Sequence, residues 1–132
     1  QVVRVDATRL LAEHLPHGRL DHITVHFPDP WENEKRDSNR RVVRESSLRN
    51  MHFCLRSEGR VTIRTDVPAY ASHCRALFDK YRDQWQLLID TSYPPLQGPE
   101  HWAHTKYEKR AAMLNADASI FELEYQKRSS DT

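Results

Sequence analysis

Glycine is scarce in this sequence: the chain of 132 residues contains three, Gly18, Gly59 and Gly98, and each stands alone. A turn that holds a nucleotide-like cofactor usually has several glycines close together, because the backbone must come near the ligand. No turn of this kind follows an apolar segment of the chain. The sequence therefore excludes a complete glycine-rich cofactor cradle within these residues.

Cysteine and long apolar stretches are also rare. The two cysteines, Cys54 and Cys74, fall in segments with helical hydrophobic spacing, which favours core thiols over a disulfide or a metal pair. No apolar run approaches the roughly 20 residues of a membrane span. Charged residues interrupt the N-terminal segment, which is not typical of a signal peptide. We therefore expect no membrane partner.

The eight histidines do not form a metal-binding motif. His22 and His26 lie on one predicted strand, where their spacing separates them by roughly 13 Å. One ion cannot bridge that distance, and we expect no functional metal.

Charge is balanced overall but uneven along the chain. The formal net charge of +1 and the 38% of hydrophobic residues fit one domain or a piece of one, with no global field to attract nucleic acid. Between residues 35 and 44, however, five side chains are basic and one is acidic. The basic residues are Lys35, Arg36, Arg40, Arg41 and Arg44. This run is either a solvated loop or a set of phosphate contacts.

Hydrophobic periodicity predicts strands that alternate with helices. The predicted strands cover residues 1–5, 21–27, 60–65, 85–89 and 118–126. The predicted helices cover residues 8–14, 40–56 and 67–81, with loops over 32–39 and 90–104 and a turn at Gly59. This order predicts an α/β fold with a mostly parallel sheet that ends in a final strand pair.

Three acidic residues, Asp6, Asp29 and Asp66, each follow a predicted strand directly. In open α/β sheets, ligands bind beyond the carboxyl ends of the strands. Asp29 stands between two prolines in the segment Phe-Pro-Asp-Pro-Trp at 27–31, which restricts its backbone and presents the carboxylate rigidly. The alternative is a proline-rich turn whose aspartate only caps a neighbouring element.

Three segments resemble the tRNA (guanine-N7-)-methyltransferase family, in the order in which they occur there. The first is Ile23–Trp31 with the Arg-Arg-Val-Val of residues 40–43, and the second is Thr-Asp-Val-Pro-Ala-Tyr-Ala at 65–71. The third is Thr-Lys-Tyr-Glu-Lys-Arg at 105–110. The resemblance covers essentially the whole chain. It implies a Rossmann-like class I methyltransferase sheet, mostly parallel with an antiparallel last strand and without its N-terminal strands.

The resemblance also implies roles for individual residues. Asp6 and Ala7 would form the turn that contacts the adenine of S-adenosylmethionine, and Asp29 would be the central acid near the methyl donor and the target guanine. The residues assigned to the tRNA are Lys35, Arg36, Arg40, Arg41, Asp66, Thr105, Lys106, Tyr107 and Glu108. The implied reaction is methyl transfer from S-adenosylmethionine to N7 of guanine 46 in the tRNA variable loop.

The chain departs from the family pattern at two places. The family usually has a lysine where Asn33 stands, the following loop is one residue longer, and Lys35 is the nearest candidate to replace that lysine. The glycine-rich turn and the acid that would hold the ribose hydroxyls are missing. Together with Gln1 in place of Met, this leads us to interpret residues 1–132 as the C-terminal portion of one methyltransferase domain. We expect this portion alone to bind S-adenosylmethionine weakly or not at all, and to be inactive.

The chemistry of the implied reaction indicates what Asp29 would do. Guanine N7 has a free lone pair, so no proton has to be removed before the methyl group is accepted. A fixed carboxylate can orient the purine and favour its developing positive charge.

Two other functions stay open at this point. One is a non-catalytic RNA-binding or scaffold module with a degenerate methyltransferase fold, and the other is a methyltransferase for another base or a small molecule. Eukaryotic members of the family work with a WD-repeat subunit, which would be a partner if the protein is eukaryotic. A cytoplasmic or nuclear location is expected, and the sequence does not indicate the oligomeric state.

Overall fold

A computed structural model describes residues 4–31, 36, 40–94 and 119–129. The four strands are β1 (Leu20–His26), β2 (Leu55–Thr65), β3 (Trp85–Tyr93) and β4 (Ile120–Lys127). The helices are α1 (Ala7–Arg9), which continues as a π-helical segment (Leu10–His14), α2 (Glu45–Cys54) and α3 (Pro68–Lys80). Within these described ranges, no helix is long and apolar enough to cross a bilayer.

The strands form one sheet in the order β1-β2-β4-β3. β1 and β2 are parallel, whereas β4 is antiparallel to both of its neighbours. β3 therefore runs in the same direction as β1 and β2, and the last strand of the chain inserts between β2 and β3 with the opposite direction. This is the predicted arrangement of a mostly parallel sheet with an antiparallel last strand.

Alternation along the central strands places apolar side chains on one face of the sheet. Val61, Ile63 and Leu123 are fully buried and belong to one core cluster with residues of α2 and α3. Phe78 of α3 stacks on Tyr125 of β4, with ring centroids 3.8 Å apart and planes 2° from parallel. The helices thus cover this face, and the predicted core thiols Cys54 and Cys74 are confirmed as free and buried.

The other face of the sheet carries polar side chains that bond to each other. Thr62 Oγ1 donates to Glu124 Oε1 at 2.8 Å, and His22 Nε2 lies 2.6 Å from the same hydroxyl oxygen. Because the hydroxyl proton is used for Glu124, this oxygen accepts from the N–H of His22. Nearby, burial raises the pKa of Glu122. The two faces therefore differ sharply in character.

β2 begins earlier than predicted because it contains a bulge in place of the predicted turn. Between Leu20↔Leu55 and His22↔Arg60, β1 advances by two residues while β2 advances by five. Gly59 lies inside this bulge, and a Cβ there would meet the Arg56 carbonyl oxygen at 2.9 Å and Leu55 Cδ2 at 2.9 Å. The position therefore requires glycine for space.

Three other predicted boundaries are wrong. Arg4 and Val5 are not in a strand, because they pair with none of the described strands. The helix predicted over 40–56 begins at Glu45, after Arg44, whose backbone N–H donates to Ser47 Oγ at 3.0 Å. β3 extends to Tyr93 through the residues predicted as the start of a loop, since it pairs with β4 as far as Ile120.

Candidate active site

The carboxyl ends of the parallel strands bring the predicted acids to one edge of the sheet. His26 pairs with Arg64, and the backbone N–H of Phe27 donates to the Arg64 carbonyl at 2.8 Å. Asp29 and Asp66 follow these paired positions within three residues, so both lie beyond the same edge. Both aspartates are exposed, which leaves them accessible to a ligand. The sequence prediction that these acids share one edge is confirmed for this pair.

The connection between β3 and β4 starts and ends at this edge too. Tyr93, the last residue of β3, pairs with Ile120, the first residue of β4. The predicted tRNA-binding residues Thr105, Lys106, Tyr107 and Glu108 belong to this connection but lie outside the described residues, as does Lys35. Their roles remain predictions.

The backbone around Asp29 is strained at both ends of the motif. Phe27 has φ 51° and Trp31 has φ 44°, a left-handed conformation that bulky side chains rarely adopt. Strained residues of this kind cluster at functional sites and persist only where the surroundings hold them. The prolines on either side of Asp29 are half-buried while Asp29 is exposed, so the motif projects this carboxylate from a constrained turn.

Arg41 provides contacts that hold this turn. Its side chain is 6% exposed, and Nε donates to the carbonyl oxygens of Pro30 at 3.1 Å and Trp31 at 3.3 Å. The sequence assigned Arg41 to a phosphate of the tRNA, but a buried guanidinium that bonds the motif's own backbone does not agree with that role. We therefore revise Arg41 to a residue that positions the Asp29 turn.

Two side chains of α3 hold the segment that carries Arg41. The backbone N–H of Val43 donates to the Tyr70 hydroxyl at 3.2 Å, and His73 Nε2 lies 2.7 Å from the Val43 carbonyl oxygen. His73 Nδ1 lies 3.3 Å from Arg41 Nη1. Burial raises the pKa of Tyr70, so this hydroxyl stays protonated. We call Arg41, Val43, Tyr70 and His73 the Arg41 network.

The Arg41 network explains why residues 41–43 are not helical, and two of its members were not predicted from the sequence. Tyr70 appeared in the sequence analysis only within the segment 65–71 that resembles the family, and His73 was given no role. One available signal is the spacing of three residues between them, which places both on one face of a helix.

Arg40 occupies a different environment from its neighbour Arg41. It is exposed, and its guanidinium carbon lies 5.1 Å from the centroid of the Trp31 ring, a cation–π contact. Arg36 is also exposed. Of the two arginines in the motif, only Arg40 is therefore placed where a phosphate can reach it.

Asp6 begins a helix instead of following a strand. Its Oδ1 accepts from the backbone N–H of Thr8 at 2.9 Å and from the Thr8 hydroxyl at 2.7 Å. The hydroxyl bond is the main reason why the pKa of Asp6 is lowered. Ala7 is the first residue of α1. Asp6 is thus an exposed N-cap carboxylate, and its contact with adenine remains a prediction.

Asp66 stands just before α3 but does not cap it. The N-cap is Val67, whose backbone N–H donates to Thr65 Oγ1 at 3.1 Å. The carboxylate of Asp66 is therefore not needed to start the helix. In the ranges that the structure describes, no group of three or more His, Cys, Asp or Glu side chains could hold a metal ion.

Solved structures with a similar arrangement show which fold the chain adopts. The chain superposes on a mutant 16S rRNA (adenine(1408)-N(1))-methyltransferase from Catenulisporales acidiphilia with a TM-score of 0.51 and 12% identity, over 88% of this chain and 54% of that one. It superposes on a putative DNA modification methylase from Thermus thermophilus with a TM-score of 0.57 and 12% identity, over 97% of this chain and 53% of that one. The fold is therefore the Rossmann-like methyltransferase fold, and this prediction is confirmed.

Sequence relatives define the family. A family model described as a putative methyltransferase matches residues 1–123, and the chain belongs to this methyltransferase family. The tRNA (guanine-N(7)-)-methyltransferase of Alkalilimnicola ehrlichii is 32% identical over 129 residues, which are 97% of this chain and 52% of the relative. That of Ralstonia nicotianae is 30% identical over 130 residues, which are 98% of this chain and 49% of the relative. The family predicted from the motifs is confirmed, and the chain spans about half the length of these relatives.

The positions of Arg40 and Arg41 predict different effects on stability. Arg41→Met leaves two carbonyl oxygens without their buried donor, so the free energy of unfolding should fall by about 1–3 kcal/mol. Arg40→Met removes an exposed cation–π contact and should cost less than about 1 kcal/mol. Urea unfolding of the full-length protein and both variants measures this difference. Equal losses for the two variants would contradict the assignment of Arg41 to the turn.

Proposed function

We propose that the protein transfers the methyl group of S-adenosylmethionine to N7 of a guanine in tRNA, and that residues 27–31 present the catalytic carboxylate. The observation that supports this most is the exposed Asp29, held in a strained turn beyond the carboxyl edge of a methyltransferase sheet. The matched relatives carry the name of this activity. Guanine 46 in the variable loop is the target implied by the resemblance.

The chemistry of the donor fits the acidic residues of this chain. S-adenosylmethionine supplies an activated methyl group on a positively charged sulfur, together with an adenine that has an amino group to donate. Exposed carboxylates suit both features, and we assign Asp6 with Ala7 to the adenine and Asp29 to the region of the methyl group.

Asp29 acts by its position and its charge. The N7 lone pair of guanine forms the new bond to carbon without losing a proton, and positive charge moves onto the purine ring as the carbon–sulfur bond breaks. A carboxylate beside the ring favours this charge. It also accepts a hydrogen bond from an N–H group of guanine, which orients the base. No proton acceptor is required. The turn therefore has to hold the negative charge of Asp29 rigidly, and this carboxylate does not have to take up a proton.

The surroundings of Asp29 provide surfaces for the RNA. Arg40 lies against Trp31 and can contact a phosphate, while Arg36 and Asp66 are exposed. Lys35 and residues 105–108 complete the proposed tRNA contacts. The enzyme would act where tRNA is found, in the cytoplasm, and a WD-repeat subunit stays a prediction.

Asp29→Asn tests the catalytic role directly. The substitution keeps the size of the side chain and one acceptor oxygen but removes the negative charge. We expect the barrier to rise by about 2–4 kcal/mol, which is roughly 30- to 1,000-fold in rate. Single-turnover methylation of a tRNA transcript by the full-length protein measures the rate, and thermal melting measures stability.

Asp83→Asn is the matched control, because Asp83 is exposed in the turn before β3, away from the carboxyl edge. It should leave both rate and melting temperature close to wild type. A near-normal rate for Asp29→Asn would remove Asp29 from the chemistry, and a variant that merely unfolds would show that the aspartate supports the turn.

Arg40→Ala tests the RNA contact. Each lost phosphate contact lowers the slope of log affinity against log salt by about one. We expect this decrease for tRNA binding, with cofactor affinity unchanged. Arg82, whose side chain is 81% exposed in the turn after α3, provides the control Arg82→Ala. An Arg40→Ala slope equal to that of wild type would show that Arg40 contacts only the protein and solvent.

A further inference from the structure

Both ring nitrogens of His73 have partners that determine the position of its proton. Nε2 lies 2.7 Å from the Val43 carbonyl oxygen, and a carbonyl can only accept. Nδ1 lies 3.3 Å from Arg41 Nη1, and a guanidinium can only donate. Nε2 must therefore carry the proton, and Nδ1 must be the acceptor. Only the neutral ring protonated at Nε2 satisfies both contacts.

The other charged and titratable groups around His73 favour the same form. Arg41 is a permanent cation that faces Nδ1 from the segment before α2. Tyr70, one turn earlier on α3, has its ring centroid 5.7 Å from that of His73, and burial keeps its hydroxyl neutral. Cys74, the next residue on the helix, is also kept neutral by burial, which raises its pKa to about 12. A second ring proton would place an N–H donor against the guanidinium with no facing anion among these groups.

His73 is connected to the catalytic turn by one side chain. Nη1 of Arg41 donates to His73, and Nε of the same guanidinium donates to the carbonyls of Pro30 and Trp31. A long arginine side chain has many rotamers, so fixing it in one position costs conformational entropy. The contact with His73 on the far side of the guanidinium restricts these rotamers and so reduces the entropy that Arg41 loses when it bonds to the turn. The carbonyl of Arg41 also accepts from Arg44 Nη1 at 3.2 Å, which restrains the backbone of the same residue.

We propose that His73 is a positioning residue of the methyl-transfer site: as the neutral Nε2–H tautomer it orients Arg41, and Arg41 holds the turn that presents Asp29. This role rests on the proposed function. The polar contacts of His73 in this arrangement are with Arg41 and Val43. Its effect on the rate passes through the placement of Asp29, for which a shift of about 1 Å can cost about 100-fold.

The first test reads the tautomer without an activity assay. In the full-length protein labelled with ¹⁵N-histidine, long-range proton–nitrogen NMR spectra distinguish a protonated nitrogen from one that only accepts. We expect His73 to show a protonated Nε2 and an unprotonated Nδ1 at neutral pH. A proton on Nδ1, or rapid exchange between the two nitrogens, would overturn the proposal.

The second test compares two variants that differ in one acceptor. His73→Leu removes both contacts, whereas His73→Asn retains an oxygen close to the position of Nδ1 that can accept from Arg41. We expect His73→Leu to lower kcat for tRNA methylation by about 10- to 100-fold, with KM for S-adenosylmethionine within about threefold of wild type. His73→Asn should recover most of the lost rate.

The control is His14→Leu, because the side chain of His14 is 61% exposed on the π-helical segment. It should leave the rate unchanged. A His73→Leu variant with the rate of wild type would overturn the positioning role. The role would also be overturned if His73→Leu and His73→Asn lost the same amount of rate and the same amount of melting temperature, since that pattern indicates packing alone. If the wild-type protein methylates no tRNA, the proposed function fails, and the NMR result still decides the tautomer.

Discussion

The bond between the Arg41 guanidinium and the carbonyls of Pro30 and Trp31 is the interaction on which the site depends. Positive φ angles at Phe27 and Trp31 disfavour the turn by about 1–3 kcal/mol each. A hydrogen bond to a charged group contributes about 1.5–3 kcal/mol. The two contacts share the one Nε–H proton of Arg41, so together they are of the same magnitude as the strain at one of the two residues. Without them, the turn would relax toward a conformation that does not hold the carboxylate in place.

The Arg41 network also joins the turn to the hydrophobic core. Tyr70 bonds the backbone of Val43 through its hydroxyl, while the residue is 2% exposed in the same cluster as Phe78. The same helix thus packs on the sheet and holds the loop at its edge. A close-packed core transmits small displacements because it has little free volume. Substitutions in α3 far from Asp29 are for this reason able to alter the geometry of the site.

The sequence predicted the position of the site better than its internal contacts. Pattern and strand ends located Asp29 and Asp66, since apolar runs and prolines are local signals. Arg41 was interpreted as an RNA contact, because nothing local distinguishes it from Arg40. Its role depends on His73, which is 32 residues away along the chain. The helix predicted from residue 40 begins only at Glu45 because of another contact between distant parts of the chain. The bond from the Val43 N–H to the Tyr70 hydroxyl overrides the helical period of the sequence.

The central claim is that a rigid carboxylate serves an acceptor nitrogen that needs no deprotonation. Methyl transfer to a tRNA that lacks N7 is the most direct measurement of this claim. In a transcript made with 7-deazaguanosine, a C–H group replaces N7 while the Watson–Crick edge is unchanged. We predict that the full-length protein transfers the radiolabelled methyl group of S-adenosylmethionine to the normal transcript and not to the deaza transcript. The deaza transcript should still compete for binding. Methylation of both transcripts at comparable rates would contradict the assignment of N7 as the acceptor.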